Sequence, residues 1–253
     1  MLAIIGGSGL TTLSNLDVSH REAVRTPYGE PSGALVFGQV CGKPAMFLPR
    51  HGYGHTIPPH VVNYRANLWA LHHPKATGII SLASVGGTRA DLQPGDIVIP
   101  DQIIDYTWGR KATFFDGNGS PVTHVDFTEP YDQDLRCRIR AAGEALGVAM
   151  KDGGVYAATQ GPRLESAAEI DRLERDGADL VGMTGMPEAV LARELGLPYA
   201  AISVVANHAA GRGSSANGIR FESLEHVLRD AMGRVRVVIE KVVSCQTECQ
   251  PVP

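Results

Sequence analysis

Residues 179–208 read DLVGMTGMPEAVLARELGLPYAAISVVANH. Asp179 to Met183 and Tyr199 to Ala206 are short apolar runs bounded by turn-forming residues, which is the pattern of buried strands. Between them Pro187 suits the first turn of a short helix, PEAVLAREL, and Gly196 suits its end. A strand, a helix and a second strand in succession are the repeating unit of an α/β sheet.

The same alternation extends toward the N-terminus. Leu2 to Ile5, Ala34 to Val40, Lys43 to Leu48, Gly78 to Ser84, Asp96 to Ile104 and Gly153 to Ala158 are further candidate strands, with Cys41-Gly42 as a hairpin turn between the second and third. Leu135, Ile139, Ala142 and Leu146 recur at helical spacing and stop at Gly147; Ala167, Ile170 and Leu173 follow a Ser166 N-cap. A last helix is expected from about Leu224 to Val243, with Leu224, Val227, Leu228 and Ala231 on one face. The expectation is a single α/β domain over 1–253, a mixed twisted sheet flanked by helices, with a frayed tail from about residue 244. Ligands in such sheets sit beyond the strand ends.

Composition narrows the function. The 253 residues are 43% hydrophobic and 20% charged with a net charge of −4, and no basic run or aromatic-basic stripe interrupts them, so neither nucleic acid nor an anionic membrane is an expected partner. No stretch of eighteen apolar residues and no charged leader ahead of an apolar segment is present, and the expected location is cytoplasmic. Cys41, Cys137, Cys245 and Cys249 form no C-x-x-C pair and are expected to be reduced.

Several strand ends carry polar or small residues. Gly6-Gly7-Ser8-Gly9 offers backbone N–H groups and a hydroxyl to an anion, although it lacks the third glycine of a dinucleotide fingerprint and on local evidence fits a plain tight turn better. Arg50 and His51 follow an apolar strand; a guanidinium there suits an oxyanion, with a surface salt bridge as the bland alternative. His51, His55 and His60 lack a carboxylate or thiol at ligand spacing, so no metal is expected. Ala83-Ser84 and Met183-Thr184 end other strands and could bring backbone N–H groups close to a ligand, while Asn207, at the end of the last, is locally more often a turn residue than a ligand contact; each alone loses to its bland reading.

Their combination is more telling than any one of them. GGSGL at 6–10, PRHG at 49–52, VNYRANLWAL at 62–71, QPGDIVIPDQIID at 93–105, QGPR at 160–163 and MTGMPEAVLARELGLPYAAIS at 183–203 together resemble the purine nucleoside phosphorylase family, closest to its 5′-methylthioadenosine phosphorylase branch, over roughly residues 2–209. The resemblance implies phosphate-dependent cleavage of a purine N-glycosidic bond in purine salvage. It implies no metal or organic cofactor, inorganic phosphate being a co-substrate, and a homotrimer or dimer of trimers. Phosphate would be held by Ser8, Arg50, His51, the Ala83-Ser84 segment and Thr184. Met183 would lie against the ribose, His55 and Pro59 at its 5′ end beside a neighbouring subunit, and Leu164 against the purine.

Two departures from that family pattern matter. Ala83 stands where the branch usually has Thr, so one hydroxyl is missing. Asn207 and Ala209 stand where adenine-specific members carry two Asp residues. An amide accepts from a protonated purine N7 and donates to O6, whereas a carboxylate repels O6, so Asn207 is the expected catalytic residue of a 6-oxopurine enzyme. The expected substrate is therefore S-methyl-5′-thioinosine. Inosine, guanosine or methylthioadenosine, and a catalytically silent nucleoside-binding module, are the competing readings.

Overall fold

The computed structural model describes residues 1–117, 119 and 121–245. Its first strand, β1 (Leu2–Gly6), is buried at every position. The exposed β2 (Asp17–Glu22) precedes a hairpin of β3 (Leu35–Val40) and β4 (Lys43–Pro49). Cys41 and Gly42 both take left-handed φ, 49° and 73°, the geometry whose twist matches antiparallel strands in a two-residue hairpin. Helix α1 (Tyr64–His72) starts at Asn63, whose side chain accepts from the Ala66 N–H at 3.1 Å.

The long β5 (Gly78–Gly87) is followed by β6 (Ile97–Ile99) and β7 (Gln102–Asp105), then α2 (Gln133–Ala145), β8 (Lys151–Asp152) and β9 (Val155–Ala158). Helix α3 (Ala167–Arg175) carries a full capping box between Ser166 and Glu169. The chain continues through β10 (Leu180–Gly182), α4 (Gly185–Glu194) and β11 (Tyr199–His208) to the closing helix α5 (Phe221–Ser244).

The eleven strands among the described residues form one sheet, running β2-β3-β4-β1-β5-β10-β9-β7, with β11, β6 and β8 branching from β5. The pairs β4–β1, β1–β5 and β5–β11 are parallel, and β2–β3, β3–β4, β5–β10 and β11–β6 are antiparallel. This is the mixed α/β sheet expected from the sequence. Because successive strand residues face opposite ways, Ala3, Ile5, Ile79 and Val205 join α1 and α4 in one core, while Ile4, Ile80, Leu82 and Ile202 join α2 and α5 in the other.

The expected strand Asp96 to Ile104 is two strands. Pro100 has no N–H to give the ladder, and the chain changes partners there, from β11 and β8 to β9. Likewise Gly153 and Gly154, both with positive φ, separate β8 from β9, so the strand begins at Val155. Cys137 is disulfide-bonded, which corrects the expectation of four reduced thiols; spacing along the chain does not show which cysteines folding brings together, and Cys41 and Cys245 are free. The expected frayed tail lies mostly outside the described residues.

Candidate active site

The sheet opens along one edge of β5. Residues Leu2 to Ile5 of β1 pair with Gly78 to Ser81, and β10 pairs with Gly86 and Gly87 on the same path, leaving Leu82 to Val85 paired to neither. A cavity of about 690 Å³ lies at this opening, beyond the carboxyl ends of β1, β4 and β11. All eleven residues singled out in the sequence line it: Ser8, Arg50, His51, His55, Pro59, Ala83, Ser84, Leu164, Met183, Thr184 and Asn207.

The turn after β1 fits here only because it is glycine. A Cβ on Gly6 would come within 2.2 Å of the Leu10 carbonyl oxygen, and one on Gly7 within 2.4 Å of the Leu82 carbonyl oxygen. Ser8 is thereby carried to the cavity wall, where its Oγ lies 3.4 Å from His55 Nε2.

Arg50 is 1% exposed and is not the surface salt bridge of the bland reading. Its Nε and Nη2 fork onto the carboxylate of Glu188 at 2.8 and 2.9 Å, and its Nη1 donates at 2.8 Å to the carbonyl of Leu82, in the stretch of β5 that neither β1 nor β10 pairs. Glu188 is fully buried and accepts also from Ser81 Oγ and Tyr199 Oη. Burial opposes both charges, but the pairing outweighs it, holding the carboxyl below its ordinary range and the guanidinium above its own.

His51 donates from Nδ1 to the Ile57 carbonyl at 2.8 Å, since a carbonyl only accepts. Burial, reinforced by the adjacent Arg50, pushes its pKa down to about 4, so the ring is neutral and Nε2 carries a lone pair. Thr184 is the N-cap of α4 yet makes no capping bond through its side chain, so its hydroxyl is not consumed by the helix.

At the other end of the cavity, β11 gains a bulge: Val205 faces Val85 and Asn207 faces Gly86, so Ala206 is the extra residue. Bulges re-aim side chains, and this one sits immediately before Asn207. Met183 follows β10, and Leu164 follows the turn after β9. Ala209 is 2% exposed and packs with Ala157, Ile170 and Val181.

Sequence reasoning missed two groups. Glu165 lines the cavity beside Leu164, its Oε1 accepting from Thr159 Oγ1 at 2.7 Å. Its signal was weak, a carboxylate just ahead of a helix cap. Ile219, Phe221, Leu224 and Leu228 form an apolar wall at the start of α5. Leu224 and Leu228 were expected on the apolar face of this helix; both line the cavity, and Leu228 packs against the core as well. No group of three or more His, Cys, Asp or Glu among the described residues is arranged to hold a metal ion.

The sequence pattern of the Phosphorylase superfamily matches residues 1–244. A protein of Pseudomonas syringae pv. tomato named probable S-methyl-5′-thioinosine phosphorylase is 50% identical over 242 residues, covering 96% of this chain and 98% of its own. The 6-oxopurine nucleoside phosphorylase of Pyrococcus furiosus is 47% identical, covering 83% of this chain and 80% of its own. Among solved structures, methylthioadenosine phosphorylase from Schistosoma mansoni in complex with adenine superposes with a TM-score of 0.92 at 32% identity, over 96% of this chain and 90% of that one.

Proposed function

Because this chain belongs to the phosphorylase superfamily, we propose that it cleaves the glycosidic bond of a 6-oxopurine 5′-methylthionucleoside with inorganic phosphate. The products are hypoxanthine and 5-methylthioribose 1-phosphate when the substrate is S-methyl-5′-thioinosine. The relatives named for thioinosine and 6-oxopurine nucleosides support phosphorolysis of a 6-oxopurine.

The observation that carries the reading is the pair of side chains Asn207 and Glu165 in one cavity. Asn207 Oδ1 accepts from purine N7–H while its amide N–H donates to O6. Glu165 accepts from N1–H, which hypoxanthine has and adenine lacks. Adenine instead presents an N1 lone pair to the carboxylate and an amino group to the amide N–H, so both contacts turn unfavourable.

Phosphate is assigned to the Arg50 end, between the Ser8 turn, His51, Ser84 and Thr184. As the glycosidic bond lengthens, the ribosyl group becomes cationic and the purine gains negative charge. The anion beneath the anomeric carbon stabilises the first, and the Asn207 contact at N7 disperses the second. Phosphate oxygen then bonds to the anomeric carbon, the purine departs with the bonding pair, and N7 takes a proton from solvent as the ester formed from hydrogen phosphate releases one, with no covalent enzyme intermediate.

Met183 lies along the ribose in this reading, and the apolar wall of Ile219, Phe221, Leu224 and Leu228 receives the 5′-methylthio group, near His55 and Pro59. The whole chain, 1–253, is proposed to act as one domain in a homotrimer or dimer of trimers. Exposed Val61 and Tyr53, flanking His55 on the same loop, support burial of this rim against a second copy. Sedimentation showing a fully active monomer would remove the oligomer. The function itself is tested by product assays on methylthioinosine, inosine and methylthioadenosine with and without phosphate. Cleavage of methylthioinosine only when phosphate is present is the expected outcome; equal cleavage without it rejects the proposal.

A further inference from the structure

Resting on that phosphorolytic reading, we propose that Glu188 is a positioning residue of the anion site, which locks the fork of Arg50 and leaves one guanidinium hydrogen for phosphate.

The hydrogen count carries the argument. A guanidinium has five N–H groups in fixed directions. Nε donates to Glu188 Oε2 at 2.8 Å, the two Nη2 hydrogens serve Glu188 Oε1 at 2.9 Å and Ser81 Oγ at 2.6 Å, and one Nη1 hydrogen serves the Leu82 carbonyl at 2.8 Å. One hydrogen on Nη1 is left. The nearest approach of a Gly7 Cβ to Arg50 would be 2.9 Å, to this same Nη1, so the glycine turn keeps that nitrogen uncovered on the side of Ser8. Arg50 itself lines the cavity although it is almost wholly buried.

Glu188 is held as firmly as it holds. Its Oε1 accepts from Ser81 Oγ at 2.5 Å and from Tyr199 Oη at 2.9 Å, so neither oxygen is free to swing toward the cavity. Three elements converge on one carboxylate: α4 supplies it, β5 supplies Ser81 and β11 supplies Tyr199. The consequence is electrostatic as well as geometric. Arg50 enters the site with its charge already matched by Glu188, and His51 is neutral, so the anion is selected by aimed donors and not by a surplus of positive charge.

The test is a steady-state comparison in which phosphate and nucleoside are varied separately. Glu188→Gln keeps the shape but turns one acceptor oxygen into a donor facing the Arg50 cluster, which Arg50 cannot answer by rotating a proton. The KM for phosphate should rise by about tenfold or more while the KM for the nucleoside stays within about twofold. In the double variant Arg50→Ala, Glu188→Gln, the phosphate KM should be no higher than in Arg50→Ala alone, because Glu188 acts through Arg50.

An unchanged phosphate KM in Glu188→Gln, or additive losses in the double variant, overturns the proposal. If Glu188→Gln does not fold, Tyr199→Phe decides, since it removes one donor from Oε1: a rise in phosphate KM with constant nucleoside KM supports the role, and no rise overturns it. Failure of the phosphorolytic reading is visible separately, as wild-type enzyme whose turnover ignores phosphate.

Discussion

The side-chain amide of Asn207 donates to the main-chain carbonyl of His208 at 2.6 Å. One of its two Nδ2 hydrogens is thereby fixed by the backbone, which orients the amide and leaves the second hydrogen and Oδ1 for a ligand. An aspartate cannot make that bond and would set a carboxylate oxygen against the carbonyl. Asn207→Asp should therefore lose about 2–4 kcal/mol of transition-state stabilisation for methylthioinosine. Methylthioadenosine should gain only modestly, because Ala209, which lines the same cavity, still supplies no second carboxylate. The ratio of kcat/KM for the two nucleosides in the wild type, Asn207→Asp and the double variant with Ala209→Asp checks this. A wild type preferring methylthioadenosine, or an unmoved ratio, rejects the assignment.

Glu165→Gln separates the second base contact from the first. A hydrogen bond to a charged acceptor contributes roughly 1.5–3 kcal/mol, so methylthioinosine cleavage should fall by about ten- to a hundredfold in kcat/KM. Methylthioadenosine should not fall, since the substituted amide can donate to its N1. Parallel losses on both nucleosides would show Glu165 to be a loop anchor through Thr159 only.

Replacing Arg50 by Ala leaves the Glu188 carboxylate buried without its counter-charge. The expected cost is about 3–5 kcal/mol of folding stability, read from denaturant unfolding, alongside a raised phosphate KM and lowered kcat in whatever fraction stays folded. An unchanged phosphate dependence would remove Arg50 from the anion site.

His51 predicts a pH effect on stability. Its folded pKa, about 4, lies below the ordinary 6.5, so the unfolded chain binds the extra proton first on acidification. Its contribution is fully present above about pH 6.5, declines as pH falls toward about 4, and is constant below that. His51→Asn should flatten this part of a Tm-versus-pH curve. An identical slope in the variant would assign the acid sensitivity elsewhere.

The apolar wall at the start of α5 sets the 5′ preference. Leu228→Asn should lower the methylthioinosine to inosine ratio of kcat/KM by roughly tenfold, the scale for one mismatched contact in a hydrophobic pocket. No change in the ratio would place the 5′ group away from Leu228.

Elements that bury a regular face were legible from the chain. The hairpin at Cys41-Gly42, the capped α3 and the long α5 all carry local signals that the structure repeats. The strand β2 was not legible, because all six of its residues are exposed and it survives by pairing with β3 alone. Its charged residues suit a sheet edge that must resist further pairing. Helix α1 escaped for the opposite reason: six of its nine residues are buried, so no polar face marks the period. In the site, strand-end residues announced themselves by position and by resemblance. Glu188 did not, since a glutamate in a helix reads as solvated, and the partner that buries it is 138 residues away.

The stretch from Leu82 to Val85, paired on its β11 edge alone, also bears on how far this scaffold can be re-engineered. The mouth of the anion site is set by where β1 and β10 part company along β5, so its width is a property of the backbone. Trimming side chains there yields little, because the residues of this stretch that line the cavity include the already small Ala83 and Ser84. Acceptance of bulkier nucleophiles, such as organic phosphates, would require a strand to move. The base and 5′ ends, walled by side chains, are the parts of this catalyst open to redesign by substitution.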